Sequence, residues 1–442
     1  MAASKPDKPL GLKELVAIAV GGMIGGGIFT VLGISVAMVG LWAPLAIAMG
    51  GGVAALAAYS YVQLGKYFMD EGATYSFFKR SFPKSRRAAA AVGWWTIFGY
   101  ISTLALYAYT FSSYALSVTD WADSEWARKI VSWGVIWLFA LINIWSVRGM
   151  GHIEDVMVYV KVVILLSIAA LLMMHPDATL PQLIKDSPSL TFMALLTVAS
   201  LTFVAYEGFQ LVINAVKEMQ DPKRNMPRAI YTAMVLVTTI YVLVALAAVL
   251  SVPFNAIVQD KEYALAAGAT AVLGEWGGRF VVLGAVLATM SAISGTLFGA
   301  SRQMARIADD RYFPAFIDKR SGMIPVHAIV TMATLASGLI LVGGLRMILE
   351  FGSITFLVVS FLMALANYRL RRETETSVLM AWLAMIGLAT GTVVIFWYEA
   401  HTAPAQIAFI GGLYVVLTLG AILFERHEYR HRRDAPGFPP NR

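Results

Sequence analysis

The sequence predicts an all-α membrane protein of twelve transmembrane helices, arranged as two five-helix halves with two further helices appended. Three observations carry that class. The 442 residues are 58% hydrophobic and only 14% charged, with a mean hydropathy of +0.69; a soluble domain carries roughly a quarter charged residues. Apolar runs of about 20 residues, the length that crosses a bilayer core, recur twelve times. Two of those runs are interrupted, one opening each half. Helices follow because lipid offers no partner for backbone N–H and C=O groups, so each span must satisfy its own.

The runs lie near 14–39, 43–65, 91–117, 129–147, 154–174, 191–215, 228–251, 279–303, 325–344, 347–368, 378–399 and 404–424. The first, third and sixth are long enough to tilt or break. They divide the chain into an N-terminal segment (1–13), a first half (14–174), a loop (175–190), a second half (191–369), helices 11 and 12 (370–425) and a basic tail (426–442). With the N-terminus inside, 27 of the lysines and arginines fall on the cytoplasmic side and six on the other, with Lys161 inside a span. That bias sets both termini in the cytoplasm of a cell whose inner membrane holds the chain. It also explains the net charge of +7 without nucleic acid. No cleavable signal pattern precedes the first span.

The first span contains "MIGGGIF" (23–29), with five glycines between Gly21 and Gly27. Glycine is the poorest helix former after proline. The sixth reads "LTFVAYEGFQLVINAV" (201–216), with Glu207–Gly208 at its middle. Interrupted segments at corresponding places in two halves point to a transporter site at the membrane midplane. Unwound backbone cannot face lipid and has to line a polar cavity or hold a polar ligand. The glycines also fit helix packing, since Gly21–Gly25 and Gly22–Gly26 have small-xxx-small spacing. Packing does not need three adjacent glycines, whereas freed amides backed by the positive end of a half-helix suit a carboxylate.

Other chemistries find no support. Cysteine is absent, which removes disulfides, thiolate metal sites and thiol nucleophiles. His152 and His175 sit at span ends without a partner at metal spacing and are read as solvated. There is no Walker loop, HExxH or Ser/His/Asp set, so neither an enzyme nor an ATP-driven pump is expected. No channel filter or ring of pore charges is visible either. No cofactor, metal or obligatory protein partner is called for. Asp309 and Asp310 are expected to pair with Arg302 and Arg306, Trp94 and Trp95 to anchor at the interface, and "ERHEYRHRR" (425–433) to touch anionic lipid.

Several stretches resemble the amino acid–polyamine–organocation (APC) family, whose members have the LeuT-type 5+5 inverted repeat. "GGMIGGGIF" is similar to its first-helix pattern, and "DEGATYSFFKRSF" (70–82) to its second loop. "FVAYEGFQLVINAVKEMQDPKRNMPRAI" (203–230), the most specific, resembles its sixth helix and following loop. "GASRQMARIADDRYFP" (299–314) resembles the end of its eighth helix. The likeness runs from residue 11 to about 370. It implies a secondary active transporter that imports amino acids by proton symport through alternating access, or alternatively a sodium-independent amino acid/amine exchanger. By position, the N–H groups of Gly25, Gly26 and Gly27 would take the substrate carboxylate. The carbonyls of Met23, Ile24, Val204, Ala205 and Glu207 would take its ammonium. Phe203 stands where such carriers place an aromatic lid, and alone it reads equally as a core or lipid-facing residue.

Lys161, in "VYVKVVILL", is a charge inside a span, which is functional by default unless the side chain snorkels to the interface. In proton-coupled relatives a fifth-helix lysine stands where sodium sits in sodium-coupled ones. Its ammonium would meet first-helix carbonyls and an eighth-helix hydroxyl, for which Ser291 and Ser294 are the candidates. Glu207 departs from the family, which usually has a neutral residue there. A carboxylate at that depth has to be paired or protonated. It is read as a ligand for the substrate ammonium, a selector for a cationic side chain, a proton carrier, or a structural partner of a tyrosine or Lys161.

Overall fold

The computed structural model describes residues 9–70, 72–145, 150–175, 190–254, 257, 263–320 and 324–433. Much of the 175–190 loop, both chain ends, Arg148, Lys185, Lys261 and the side chain of His152 lie outside them.

Among the described residues the chain is helical, with one short parallel bridge between Leu10 and Met219. The first apolar run is split into α1 (Leu12–Met23) and α2 (Gly27–Val39), and a 3₁₀ turn (Gly40–Trp42) leads into α3 (Ala43–Phe68). Then come α4 (Ala73–Ser81), α5 (Arg86–Leu116), α6 (Glu125–Trp145) and α7 (Met150–Met173). The sixth run begins as α8 (Phe192–Leu201) and continues as two 3₁₀ segments, Thr202–Tyr206 and Phe209–Ala215. The rest are α9 (Pro222–Ser251), α10 (Ala264–Asp309), α11 (Val326–Val342), α12 (Leu345–Arg369), α13 (Val378–Thr402) and α14 (Pro404–Arg433).

Nine stretches among the described residues are long and apolar enough to cross a membrane. The sequence gives twelve runs, and the difference has local causes. α2 and α3 run together through the 3₁₀ turn as one stretch, Gly27–Phe68. α11 is 17 residues long, and of α7 the side chains are described only over Met157–Met173.

Other boundaries shift for packing reasons. The loop read at 70–82 contains α4, which buries Ala73, Thr74, Tyr75, Phe77, Phe78 and Ser81 at helical spacing and ends on Lys79 and Arg80, the favourable sign for a C-terminus. The eighth run extends back to Ala264 through a kink at Gly274 (φ +74°), a left-handed conformation that suits glycine. The tail read from 426 is helical to Arg433.

The expected surface pairings hold only in part. Arg306 pairs with Asp309 at 3.1 Å, but Asp310 goes to Lys79 at 2.9 Å and takes the Tyr75 hydroxyl at 3.0 Å. Arg302 lies over the Phe298 ring. Trp94 and Trp95 are not free interfacial anchors. The Trp94 indole stacks on Phe313 and donates to Tyr312 O, and Trp95 donates to Thr418, because α5 packs against α10 and α14.

The core runs the length of this bundle, with α1, α3, α5, α9 and α10 wrapped around the two breaks. The chain start is tied to the second break's exit by Leu10 N–H to Glu218 O at 2.8 Å and Gln220 N–H to Leu10 O at 2.9 Å. Both breaks are thereby held from their ends as well as their sides.

Candidate functional site: two broken helices and a buried lysine

The last regular bond of α1 is Ile24 N–H to Val20 O. The next amide, Gly25 N–H, turns back to Met23 O at 3.0 Å, so the carbonyls of Gly21 and Ile24 are deprived of helical donors. Helix ends buried without partners are costly. Lys161 supplies what is missing. Its ammonium donates to Gly21 O at 2.9 Å and Ile24 O at 2.6 Å, with Ser291 Oγ at 3.4 Å. The lysine is fully buried, so it points into the bundle and does not snorkel. Ser294, the other serine considered, meets Asn143 Nδ2 at 3.4 Å.

The glycines serve two ends at once. A Cβ on Gly25 would lie 2.6 Å from Ala292 Cβ and 2.8 Å from the Tyr107 ring. On Gly26 it would lie 2.9 Å from Thr110, and on Gly27 2.7 Å from Ala205 Cα. Close packing therefore requires glycine at all three positions. Among the described residues Gly26 N–H and Gly27 N–H have no acceptor, while Gly25 N–H is already engaged. In this conformation two of the three cradle amides are available, and the side chains of Tyr107, Thr110 and Ala292 fill the space beside them.

The second break is built on Glu207 and Gly208. Glu207 takes an extended conformation (ψ 140°) between the two 3₁₀ segments, and Gly208 follows with φ +126°. The backbone there approaches the first break directly: a Cβ on Gly208 would stand 2.4 Å from Gly22 C and O. Only glycine satisfies both the left-handed angle and that contact. Glu207 is 2% exposed. Its Oε1 accepts from Gln210 Nε2, which also donates to Tyr100 OH at 2.9 Å. Its Oε2 is buried with no hydrogen-bond partner among the described residues. Gln210, not Lys161, is thus its structural partner.

Of the carbonyls read as ammonium ligands, most hold internal donors here. The Tyr241 hydroxyl, on α9, donates to Met23 O at 2.8 Å and lies 3.1 Å from Ala205 O. It bridges the two breaks. Ile24 O belongs to Lys161, and Val204 O accepts Glu207 N–H at 3.2 Å. Phe203 is fully buried, which removes its lipid-facing alternative. Tyr241, Gln210, Tyr107 and the Thr30–Thr110 hydroxyl pair at 2.6 Å are site residues that the sequence did not single out. An aromatic hydroxyl in "TTIYVLV" carries no local mark of its partners. For Gln210, a polar amide three residues from Glu207 was the available signal.

Comparison with known proteins gives the family of the chain. A family model described as amino acid permease matches residues 10–421. The inner membrane transport protein YbaT of Escherichia coli is 29% identical over 94% of this chain and 96% of its own length. An uncharacterized protein of Methanocaldococcus jannaschii is 26% identical over 95% of each chain. The chloroplastic cationic amino acid transporter 7 of Arabidopsis thaliana is 23% identical over 90% of this chain and 72% of its own. Matched along nearly its whole length, this multi-pass membrane protein belongs to the amino acid permease family of APC transporters and is a transporter, not an enzyme.

Proposed function

We propose that the chain imports amino acids by proton symport, alternating access between the two sides of the inner membrane around the paired breaks. The reading takes twelve spans in a LeuT-type 5+5 repeat, with both termini cytoplasmic. Each of the twelve apolar runs has a helix or broken helix to match it, which supports that count. The observation that carries the mechanism is the Lys161 ammonium bonded to Gly21 O and Ile24 O. A fixed cation at those carbonyls occupies the place a sodium ion would need. A proton that comes and goes there changes the donors available to the first break.

The substrate carboxylate is assigned to Gly26 N–H and Gly27 N–H at the start of α2, where the helix dipole favours an anion. The ammonium is assigned to the carbonyls of Met23, Ile24, Val204, Ala205 and Glu207, with Phe203 closing over it. The unpartnered Oε2 of Glu207 supports a substrate bearing a second cationic group, in keeping with the name of the plant relative.

The test is uptake into proteoliposomes of purified protein, with each amino acid supplied under an inward proton gradient, without one, and with internal substrate. Symport requires accumulation that follows the gradient. Accumulation that ignores the gradient and depends on internal substrate makes the protein an exchanger. Absence of saturable uptake for every amino acid and amine removes the reading.

A further inference from the structure

Away from the breaks, two fully buried carboxylates converge on one guanidinium. Glu350 lies on α12 and Glu399 on α13. Arg346 Nε donates to Glu350 Oε1 at 2.7 Å, and its Nη2 donates to Glu399 Oε1 at 2.8 Å. Gln406, in the first turn of α14, donates to Glu350 Oε2 at 2.6 Å. The fourth oxygen, Glu399 Oε2, is buried with no hydrogen-bond partner. The two carboxyl groups are brought together by their shared guanidinium.

The charges do not balance. Two carboxylates against one guanidinium leave one negative charge among apolar helices, which is strongly unfavourable in such surroundings. Adjacent buried carboxylates do not both ionise. One proton removes the excess charge and provides the O–H donor that this cluster lacks. Among the described residues no other charge faces the pair. On α13, His401 is exposed and bonded to Trp397 O. On α14, the Tyr414 hydroxyl meets Thr355 of α12. On α5, Ser102 donates to Ile348 O.

We propose that Glu350 and Glu399 form a proton-holding carboxyl pair, a second protonation site apart from Lys161, which pins α12 to α13 and α14. The Arg346 side chain is 45% exposed, so water reaches the cluster at its guanidinium and the proton exchanges there. α12 also backs the second break. Ser353, one turn beyond Glu350, donates to Leu201 O at 2.8 Å, and a Cβ on Gly352 would stand 3.2 Å from Val204. Loss of the shared proton sets two carboxylates against each other and loosens the helix against which the broken sixth segment rests.

The test needs no substrate, so its outcome is independent of the transport reading. The full chain in nanodiscs is followed by infrared difference spectroscopy and thermal unfolding across a pH series, as wild type, Glu399→Gln and Glu350→Gln. The wild-type-minus-variant spectrum is expected to show, for both variants, a protonated-carboxyl stretch that fades as pH rises, over and above any carboxyl such as Glu207 that all three proteins share, because the carboxylate left in each variant keeps Arg346 to itself. A proton held in the folded state stabilises it on the acid side, and that stability is lost as pH rises through the value of the pair. The wild-type midpoint should therefore fall over the range where the stretch fades. Glu399→Gln, whose amide mimics the neutral acid, should stay level. A wild-type-minus-variant spectrum without that stretch, for either variant, overturns the proposal, as does an unchanged pH dependence in Glu399→Gln. Should one variant fail to fold, the other carries the spectroscopic comparison.

Discussion

Replacing Lys161 by methionine keeps most of the stem and removes the ammonium, so it isolates the charge from the cavity that alanine would leave. Gly21 O and Ile24 O then lose their donor. Each buried carbonyl left without one costs about 1–3 kcal/mol, which sums to about 2–6 kcal/mol against the conformation described here. At about 1.4 kcal/mol per tenfold, even the lower bound is roughly a thirtyfold shift away from this arrangement of the first break. The assay is paired: thermal unfolding in detergent, and uptake in proteoliposomes with and without an imposed proton gradient. Lys161→Met is expected to unfold at lower temperature and to lose the response to the gradient, while any remaining flux runs downhill. A variant that accumulates substrate under the gradient as the wild type does would refute the assignment of the proton to Lys161.

Gly208→Ala should be among the most damaging single-methyl additions in the chain. It forces φ +126° on an L-residue and places a Cβ 2.4 Å from the Gly22 backbone, at about 1–3 kcal/mol for each effect; a thermal midpoint within a degree of wild type would contradict the close approach of the two breaks. Tyr241→Phe removes the hydroxyl that bonds Met23 O, which keeps Gly25 N–H as a donor, so the substrate-free protein should lose about 0.5–1.5 kcal/mol, read as a lower midpoint that added substrate partly restores. Asp70 is pushed up by partial burial, but Gly72 N–H, the Ser76 hydroxyl and Arg80 outweigh that and hold its carboxyl below the ordinary value of 3.8. Its stabilising contribution is thus complete above that value and lost as pH falls through the lower folded-state value, so the gap in midpoint between wild type and Asp70→Asn should be constant near neutrality and close only in strong acid.

Much of the site was legible because the residues concerned violate a local rule. Glycines inside an apolar run and a lysine at membrane depth conflict with propensity and with solvation, and such conflicts mark function. Both breaks and the buried lysine stand where those conflicts put them. What stayed hidden obeys every local rule. Tyr241 is an ordinary aromatic residue of an apolar helix, and only folding brings its hydroxyl to carbonyls 218 and 36 positions away. Arg346 and Glu350 are visible as an i,i+4 pair, yet Glu399 joins them from another helix. Gly268, Gly274, Gly277 and Gly278 obscured the helical stretch before the kink, and the resemblance of 70–82 to a loop hid α4. Helix existence followed hydropathy; helix ends followed packing partners that no single run contains.

The hydrogen-bond accounting at the first break also constrains how any substrate enters. Met23 O, Ile24 O, Val204 O and Ala205 O are each occupied by, or within reach of, a donor from the chain itself. A substrate ammonium adds three N–H groups to a set of acceptors already in use. On the proposed mechanism it gains little by joining them and much by replacing Tyr241 or Lys161 as donor. Replacement of Tyr241 frees a hydroxyl that spans both broken segments, and replacement of Lys161 frees a cation that holds the end of α1. Either exchange releases a contact between α1 and its neighbours at the moment the substrate is bound. On that proposal, binding and the change of access are the same set of hydrogen bonds handed from one donor to another, with a proton on Lys161 deciding which donor holds Ile24 O.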